Sequence, residues 1–193
     1  MNEHITKARE FAMTAHGDQK YGDMPYVAHL DQVASWLPLF GYDDTASSGH
    51  GDQYQVAYLH DVLEDTDVTE EDLRQAGFGE FVIEAVKFVT DEDGPNRKTR
   101  KRLTYRRMQD QLLDMDGPVA HTVGRDIKVA DRLANLSVGL GTQNYGLLKM
   151  YLKERDTFWL ALLGSVNYPW WQEYESLMDE AQAQIDNRKR KVR

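Results

Sequence analysis

Cysteine is absent from the 193 residues, which excludes disulfides and thiolate metal sites. Any metal must therefore be held by nitrogen and oxygen ligands. No apolar run reaches the roughly 18 residues that a membrane-spanning helix needs. The N-terminus, MNEHITKARE, is charged where a secretory signal would carry its apolar block. These absences lead us to expect a soluble, cytoplasmic protein that does not enter a membrane. Positive charge is also in deficit, since 23 Lys and Arg against 32 Asp and Glu leave a formal charge of −9. That balance argues against duplex nucleic acid as a partner, because phosphate backbones are drawn to net positive surfaces. Internal repeats and low-complexity linkers are missing as well, and the length suits one domain with one substantial core.

What is present is helical periodicity. Apolar residues recur with period 3.6 along most of the chain, and no segment alternates with period two for long enough to make a half-buried strand. The expected fold is all-α, a single bundle over residues 1–193 of about eight to nine helices. Helices are expected over 3–17, 25–40, 52–64, 80–90, 98–115, 119–140, 145–164 and 169–188, with a further short one after Thr69 in TEEDL. Pro25 suits a first helical turn. GYDDTASSGHGD, DEDGPN, DGP, GTQN and NYP read as the intervening loops.

The stretch AYLHDVLEDTDV places His60, Asp61, Glu64 and Asp65 among residues that otherwise pack a core. On a continuous helix these four occupy an arc of about 140°, with Val56, Leu59 and Leu63 on the opposite side. Three carboxylates so close repel one another, and a cation relieves that repulsion. On this stretch alone a cation site and an ordinary solvated acidic face are both open readings. Two further segments bear on the choice. In PYVAHLDQVASWL, His29 lies at the margin of an apolar stripe, where a lone histidine is usually a boundary residue. In DIKVADRLANL, Asp131 and Asn135 stack one turn apart beside a broad apolar face.

Positive charge is concentrated too. RKTRKRLTYRR, residues 97–107, holds seven of the 23 basic residues, which points to a phosphate-bearing ligand for an otherwise acidic chain. Lys98, Arg100, Lys101 and Arg102 open the helix after DEDGPN, where their charge and the helix N-terminus both attract phosphate. Lys20 and Tyr21, with Tyr26, are candidates for the opposite side of a pocket. Taken singly, each of these residues reads as solvated. A second basic cluster, RKRKVR, ends the chain and reads as a solvated helix end. The aromatic group Trp159, Tyr168, Trp170, Trp171 and Tyr174 reads as core or subunit contact.

AREFAMTAHGDQKYGDMPYVAHL, AYLHDVLEDT, VTDEDGPNRKTRKRL and IKVADRLANL, in this order over roughly residues 7–140, resemble the HD phosphohydrolase superfamily, and within it the (p)ppGpp hydrolase branch of RelA/SpoT proteins and their stand-alone small relatives. The combination of PYxxH, HDxxED and KxADRxxN is far more specific than any one piece. The resemblance implies His29, His60, Asp61 and Asp131 as metal ligands, Mn2+ as the ion, Glu64 and Asp65 as catalytic acid–base residues and Asn135 as a ribose or phosphate contact. Leu30 follows His29 where the family often has proline, and Lys20 and Tyr21 stand where an arginine is usual. The region 145–188 is expected to form a helical C-terminal extension. The implied activity is removal of the 3′-pyrophosphate of (p)ppGpp, with a small nucleotide as partner and a second copy of the chain as a further one. The alternatives are an HD phosphohydrolase of another nucleotide, such as ppApp, a nucleoside phosphate or NADPH, and a non-catalytic nucleotide-binding or antitoxin-like protein.

Overall fold

The computed structural model describes residues 2–44 and 51–191. Helix α1 (Glu3–His16) begins at Asn2, whose Oδ1 accepts the His4 backbone N–H at 3.0 Å, an N-cap that satisfies one otherwise unpaired donor. The chain then forms a small hairpin, β1 (Lys20–Tyr21) against β2 (Met24–Pro25). Gly22 turns it with a φ of 61°, the positive-φ first position that two-residue hairpin loops demand.

This hairpin corrects the expectation of a helix from Pro25 to Phe40. Pro25 pairs with Lys20, and the Tyr26 N–H still bonds to the Gln19 carbonyl at 3.0 Å. Helix α2 (Val27–Ser35) therefore starts two residues later. A proline without an N–H is tolerated at the end of an edge strand as well as in a first helical turn. Beyond α2 the chain tightens into a 3₁₀ turn over Leu37–Phe40, because Pro38 cannot donate the next α-helical hydrogen bond.

Helix α3 (Gly51–Leu59) and the short α4 (Val62–Asp65) replace the single helix expected over 52–64. Much of the loop expected over 41–52 falls on residues 45–50, which lie outside the described residues. Helix α5 (Glu70–Gln75) opens with a reciprocal cap between Thr69 and Asp72. Helices α6 (Glu80–Val89), α7 (Arg97–Leu113), α8 (Val119–Gly141), α9 (Tyr145–Ala161) and α10 (Pro169–Lys191) follow. Among the described residues this makes ten α-helices, one more than the longest expectation, because the third helix is broken. The all-α expectation holds, with the hairpin as a minor addition.

Helix α8 packs against α2, α3, α6, α7, α9 and α10. Its apolar face, Ile127, Val129, Ala130, Leu133, Ala134 and Leu136, is buried, and the core cluster it centres runs from Ile5 in α1 to Ile185 in α10. Each large side chain in that cluster contributes about 1.5–3 kcal/mol relative to exposure. Trp170, Trp171 and Tyr174 belong to the core, whereas Trp159 and Tyr168 stay partly exposed. No helix among the described residues is long and apolar enough to cross a membrane.

The closest approach of α6 to α8 depends on Gly124. A Cβ at that position would lie 2.5 Å from Phe88 Cδ1 and 3.1 Å from the Ala85 carbonyl oxygen. Alanine would gain about 1 kcal/mol of helix propensity, but overpacking a well-filled contact costs about 1–3 kcal/mol. The expected outcome for Gly124→Ala is a lower urea midpoint with an unchanged m value. A variant as stable as the native protein would show that α6 and α8 are free to separate.

Candidate metal centre and active site

Three parts of the fold deliver ionisable groups to one point. His29 comes from α2, His60 and Asp61 from the break between α3 and α4, and Asp131 from the middle of α8. The break has a local cause. His60 Nδ1 bonds to the Ala57 carbonyl at 2.8 Å, and Asp61 takes φ −102°, ψ −5° while its carbonyl accepts the Glu64 and Asp65 N–H groups at 3.1 and 2.8 Å. The α-ladder thus stops and restarts around Asp61. The four residues do not share the even helical arc expected from sequence, and the turn redirects His60 and Asp61 toward α2 and α8.

The resulting distances are short. His29 Nε2 lies 3.3 Å from Asp131 Oδ1 and 3.6 Å from Asp61 Oδ2. His60 Nε2 lies 3.0 Å from Asp61 Oδ2 and 3.9 Å from Asp131 Oδ1. Both imidazoles are buried, and His60 Nε2 makes no hydrogen bond of good geometry with the described residues. With Nδ1 committed to the Ala57 carbonyl, Nε2 is the nitrogen left to ligate a metal, in exchange for its proton.

Electrostatics agree with this geometry. Burial opposes charge on His29, but its bonds to Asp131 and Asp61 outweigh it and hold the pKa up at about 9. His60 is raised in the same way, against its complete burial, by Asp61 and Asp131. Burial would raise Asp131, yet the two imidazoles bring it down to about 2. Asp61 is likewise held well below the usual carboxylate range, by His60 and His29 against its burial. Two carboxylates here demand two positive charges, and a divalent cation provides the same balance as two imidazolium protons. The all-nitrogen-and-oxygen donor set, the grouping of His29, His60 and Asp131 within ligating distance of one another and the unpartnered Nε2 all fit a divalent metal.

Polar neighbours hold these groups. Tyr26 donates to Asp61 Oδ2 at 2.6 Å and lies 3.2 Å from Asp65 Oδ2, joining a candidate ligand to a candidate catalytic residue. Asn135 Nδ2 donates to Asp131 Oδ1 at 2.5 Å and to the Asp131 carbonyl at 3.0 Å. Tyr21 donates to Asn135 Oδ1 at 2.8 Å and stacks on the His29 ring. Burial, with Asp131 adding, pushes the Tyr21 phenol up to about 12, so it remains a donor at neutral pH. Glu64 keeps contact with solvent, but protein packed around its carboxylate raises its pKa, with Asp91 and Asp61 adding and Lys128 and Lys101 opposing.

The basic residues divide. Lys98 and Arg102 are exposed and line a cavity of about 980 Å³ between α7 and α9, shared with Arg106, Lys149 and Lys153. Arg100 lines a separate cavity of about 580 Å³ with Glu64 and Asp91. Lys101 is directed at Asp91, 2.8 Å from its Oδ1. Burial and the neighbouring Lys128 lower its pKa to about 8 against the pull of Asp91. Lys20 is exposed on the hairpin. Sequence reasoning gave Tyr26 only a pocket-lining role and passed over Asp91 and Lys128. The available signal for Lys128 was its place one turn before Asp131 on the same helix.

No protein-family model matches the chain. A guanosine-3′,5′-bis(diphosphate) 3′-pyrophosphohydrolase of Aquifex aeolicus is 37% identical over 136 residues, covering 69% of this chain and 17% of that protein. The chain thus spans about a sixth of the long bacterial relative it matches. The enzyme of the same name designated MESH1 is 34% identical over 137 residues in Homo sapiens and 33% over 136 in Xenopus tropicalis, and in each case the match covers 68% of this chain and 67% of the relative. A solved structure described as "A metazoan ortholog of SpoT hydrolyzes ppGpp and plays a role in starvation responses" shares the fold, with a TM-score of 0.69, 24% identity and coverage of 96% of this chain and 97% of that one. By its likeness to the short metazoan proteins over two thirds of their length, the chain belongs to the guanosine-3′,5′-bis(diphosphate) 3′-pyrophosphohydrolase family.

Proposed function

We propose that this protein is a manganese-dependent hydrolase that removes the 3′-pyrophosphate of ppGpp or pppGpp, giving GDP or GTP and pyrophosphate. The observation that carries the reading is the meeting of His29, His60, Asp61 and Asp131 at one point, next to an HDxxED segment that also supplies Glu64 and Asp65. A pure nucleotide-binding protein has no use for a base of raised pKa beside a cation site. We assign the activity to the cytoplasm, where nucleotide polyphosphates are made and used.

His29, His60, Asp61 and Asp131 would hold the ion, which supplies Lewis acidity toward water and a phosphoryl oxygen. Glu64 accepts the proton of the attacking water, a task suited to a carboxylate that burial raises above its ordinary pKa. Asp65, near the Tyr26 hydroxyl, orients that water. The oxygen of water bonds to the proximal phosphorus of the 3′-diphosphate, the bond from that phosphorus to the ribose 3′-oxygen breaks, the proton taken up by Glu64 passes on to that oxygen, and the nucleotide with a free 3′-hydroxyl and pyrophosphate leave. Asn135 and Tyr21, already joined beside Asp131, contact the ribose. Lys20 approaches from the hairpin, while Lys98, Arg100 and Arg102 offer positive charge to the phosphates. Lys101 is the weakest member of the expected phosphate set, because Asp91 already occupies its ammonium.

The deciding experiment is a hydrolysis screen of ppGpp, ppApp, nucleoside mono- and triphosphates and NADPH, with and without Mn2+, the products being separated by chromatography. Fastest turnover of ppGpp, abolished by chelator, is the expected result. Preference for an adenine nucleotide or a monophosphate would overturn the substrate assignment. In parallel, chelation should lower the melting temperature and added Mn2+ restore it, since a ligand bound only by the native state stabilises it by mass action. Asp131→Ala should lose that response.

Glu64→Gln preserves shape but cannot take up the proton. We expect metal content to be retained and kcat to fall about 100-fold or more. In the native enzyme the deprotonated base is the active form, so kcat should be lost as pH falls through the raised Glu64 pKa, above the ordinary glutamate value of about 4.3. The variant's profile should lack that limb. Native turnover in Glu64→Gln would move the base assignment to another group.

A further inference from the structure

The basic stretch 97–107 carries more cations than a phosphate clamp needs, and one face of α7 turns them inward. Lys101 Nζ lies 2.8 Å from Asp91 Oδ1 and 2.7 Å from Oδ2. Lys128 Nζ, arriving from α8, lies 3.8 Å from Asp91 Oδ1 and donates to the Val89 carbonyl at 2.8 Å. The Asp91 side chain is 2% accessible, so its charge is satisfied by these lysines rather than by water.

The same face holds the adjoining backbone. Thr104 Oγ1 accepts the Glu92 N–H at 2.8 Å, and Arg107 donates to the Thr90 carbonyl at 2.7 Å and the Phe88 carbonyl at 3.2 Å. Residues 88–92, where α6 ends, are thereby fastened at every position by Lys101, Thr104, Arg107 and Lys128. The fastened segment presents one donor to the active site. The Asp91 backbone N–H points to Glu64 Oε2 at 3.3 Å, a long hydrogen bond of the kind that tightens when substrate binds.

A buried cluster of one carboxylate and two ammonium groups is poor value as a stabiliser, because desolvation cancels most of its attraction. What such a cluster does well is fix a location. We propose that Asp91 is a positioning residue for the reaction: gripped by Lys101 and Lys128, it holds the Glu64 carboxylate in its working orientation through its backbone N–H. Lys101 then serves the base and not the substrate. This inference rests on Glu64 as the proton acceptor.

The test is a double-mutant cycle on the Mn2+-loaded protein with ppGpp as substrate. Asp91→Asn removes the charge that holds two lysines together and lets the segment shift. A displacement of about 1 Å at a catalytic group costs up to about 100-fold, so kcat should fall about 10- to 100-fold. KM should stay within about twofold of native, and metal per chain, measured by elemental analysis, should not change. Lys101→Met should lower kcat in the same manner, whereas a phosphate ligand would register in KM. On the Glu64→Gln background, Asp91→Asn and Lys101→Met should cause no further loss, because the group they position no longer takes the proton.

A native kcat in Asp91→Asn, a KM effect without a kcat effect in Lys101→Met, or the same fold-loss repeated on the Glu64→Gln background would each overturn the positioning role. If Asp91→Asn fails to fold, the Lys101→Met arm of the cycle decides the question alone. Failure of the underlying reading looks different, since Glu64→Gln would then itself turn over at the native rate.

Discussion

Five charges on one helix, α8, are wholly or largely removed from water; Arg125 and Asp126 pair with each other, and Lys128, Asp131 and Arg132 each meet a counterpart that another part of the fold brings. Asp126 accepts from the Tyr42 hydroxyl at 2.8 Å and from Arg125. Lys128 faces Asp91, Asp131 faces His29, and Arg132 donates to Glu154 at 3.1 Å and the Tyr105 hydroxyl at 3.0 Å. The Arg132 guanidinium also lies over the rings of Tyr151 and Phe158 at 4.1 and 4.2 Å. Removing one partner of such a pair strands a buried charge, at about 3–5 kcal/mol, although the intact pair adds little net stability. The matched charges therefore decide which elements may pack against α8 and in what register, while the apolar face supplies the driving force.

That arrangement carries over into chemistry. Successive turns of α8 offer Lys128, Asp131 and Asn135, so one rigid element positions the anchor for Asp91, a candidate metal ligand and a contact that itself bonds to Asp131. On the other side, Tyr26 gains its place from the hairpin. Because Pro25 stays in β2, Tyr26 sits at the entrance of α2 rather than as the second residue of a helix begun at Pro25, with its hydroxyl on Asp61 and its ring stacked on His16. The N-terminal helix, the hairpin and α2 are thus coupled to the carboxylates of the site. Preorganised dipoles of this kind stabilise developing charge without reorganising during reaction.

Much of this was legible in the sequence, because period and motif are local signals. Most of the helices, the buried stripe of α8 and the Thr69 cap follow from spacing and capping chemistry, and the segments bearing His29, His60, Asp61 and Asp131 stood out by their combination. The break at His60–Asp61 was not legible. Neither residue breaks helices by propensity, and the turn rests on the bond of the His60 ring to the Ala57 carbonyl and on the backbone conformation of Asp61, which no spacing rule announces. The hairpin escaped because two-residue strands are too short to show alternation. Lys128 and Arg132 were overlooked because charged residues are ordinarily exposed, and only their partners, distant in sequence, make burial tolerable.

The basic stretch shows most clearly why residue type underdetermines role. By composition its seven cations are equivalent, and each would draw phosphate. In the fold, Lys101, Arg107 and Arg97 face Asp91, Glu92 and Glu154 respectively, and a paired charge projects little field beyond its partner. Lys98 and Arg102 stay exposed along the α7–α9 cavity, where Lys149 and Lys153 add their charge from the facing helix. The positive field along this cavity thus comes from a minority of the stretch together with lysines about fifty residues away. Its strength depends on ionic strength, since exposed charges are screened over about 8–10 Å at physiological salt. Lys101, paired with the buried Asp91, is shielded from that screening, so salt weakens the outward field without loosening the segment at Asp91.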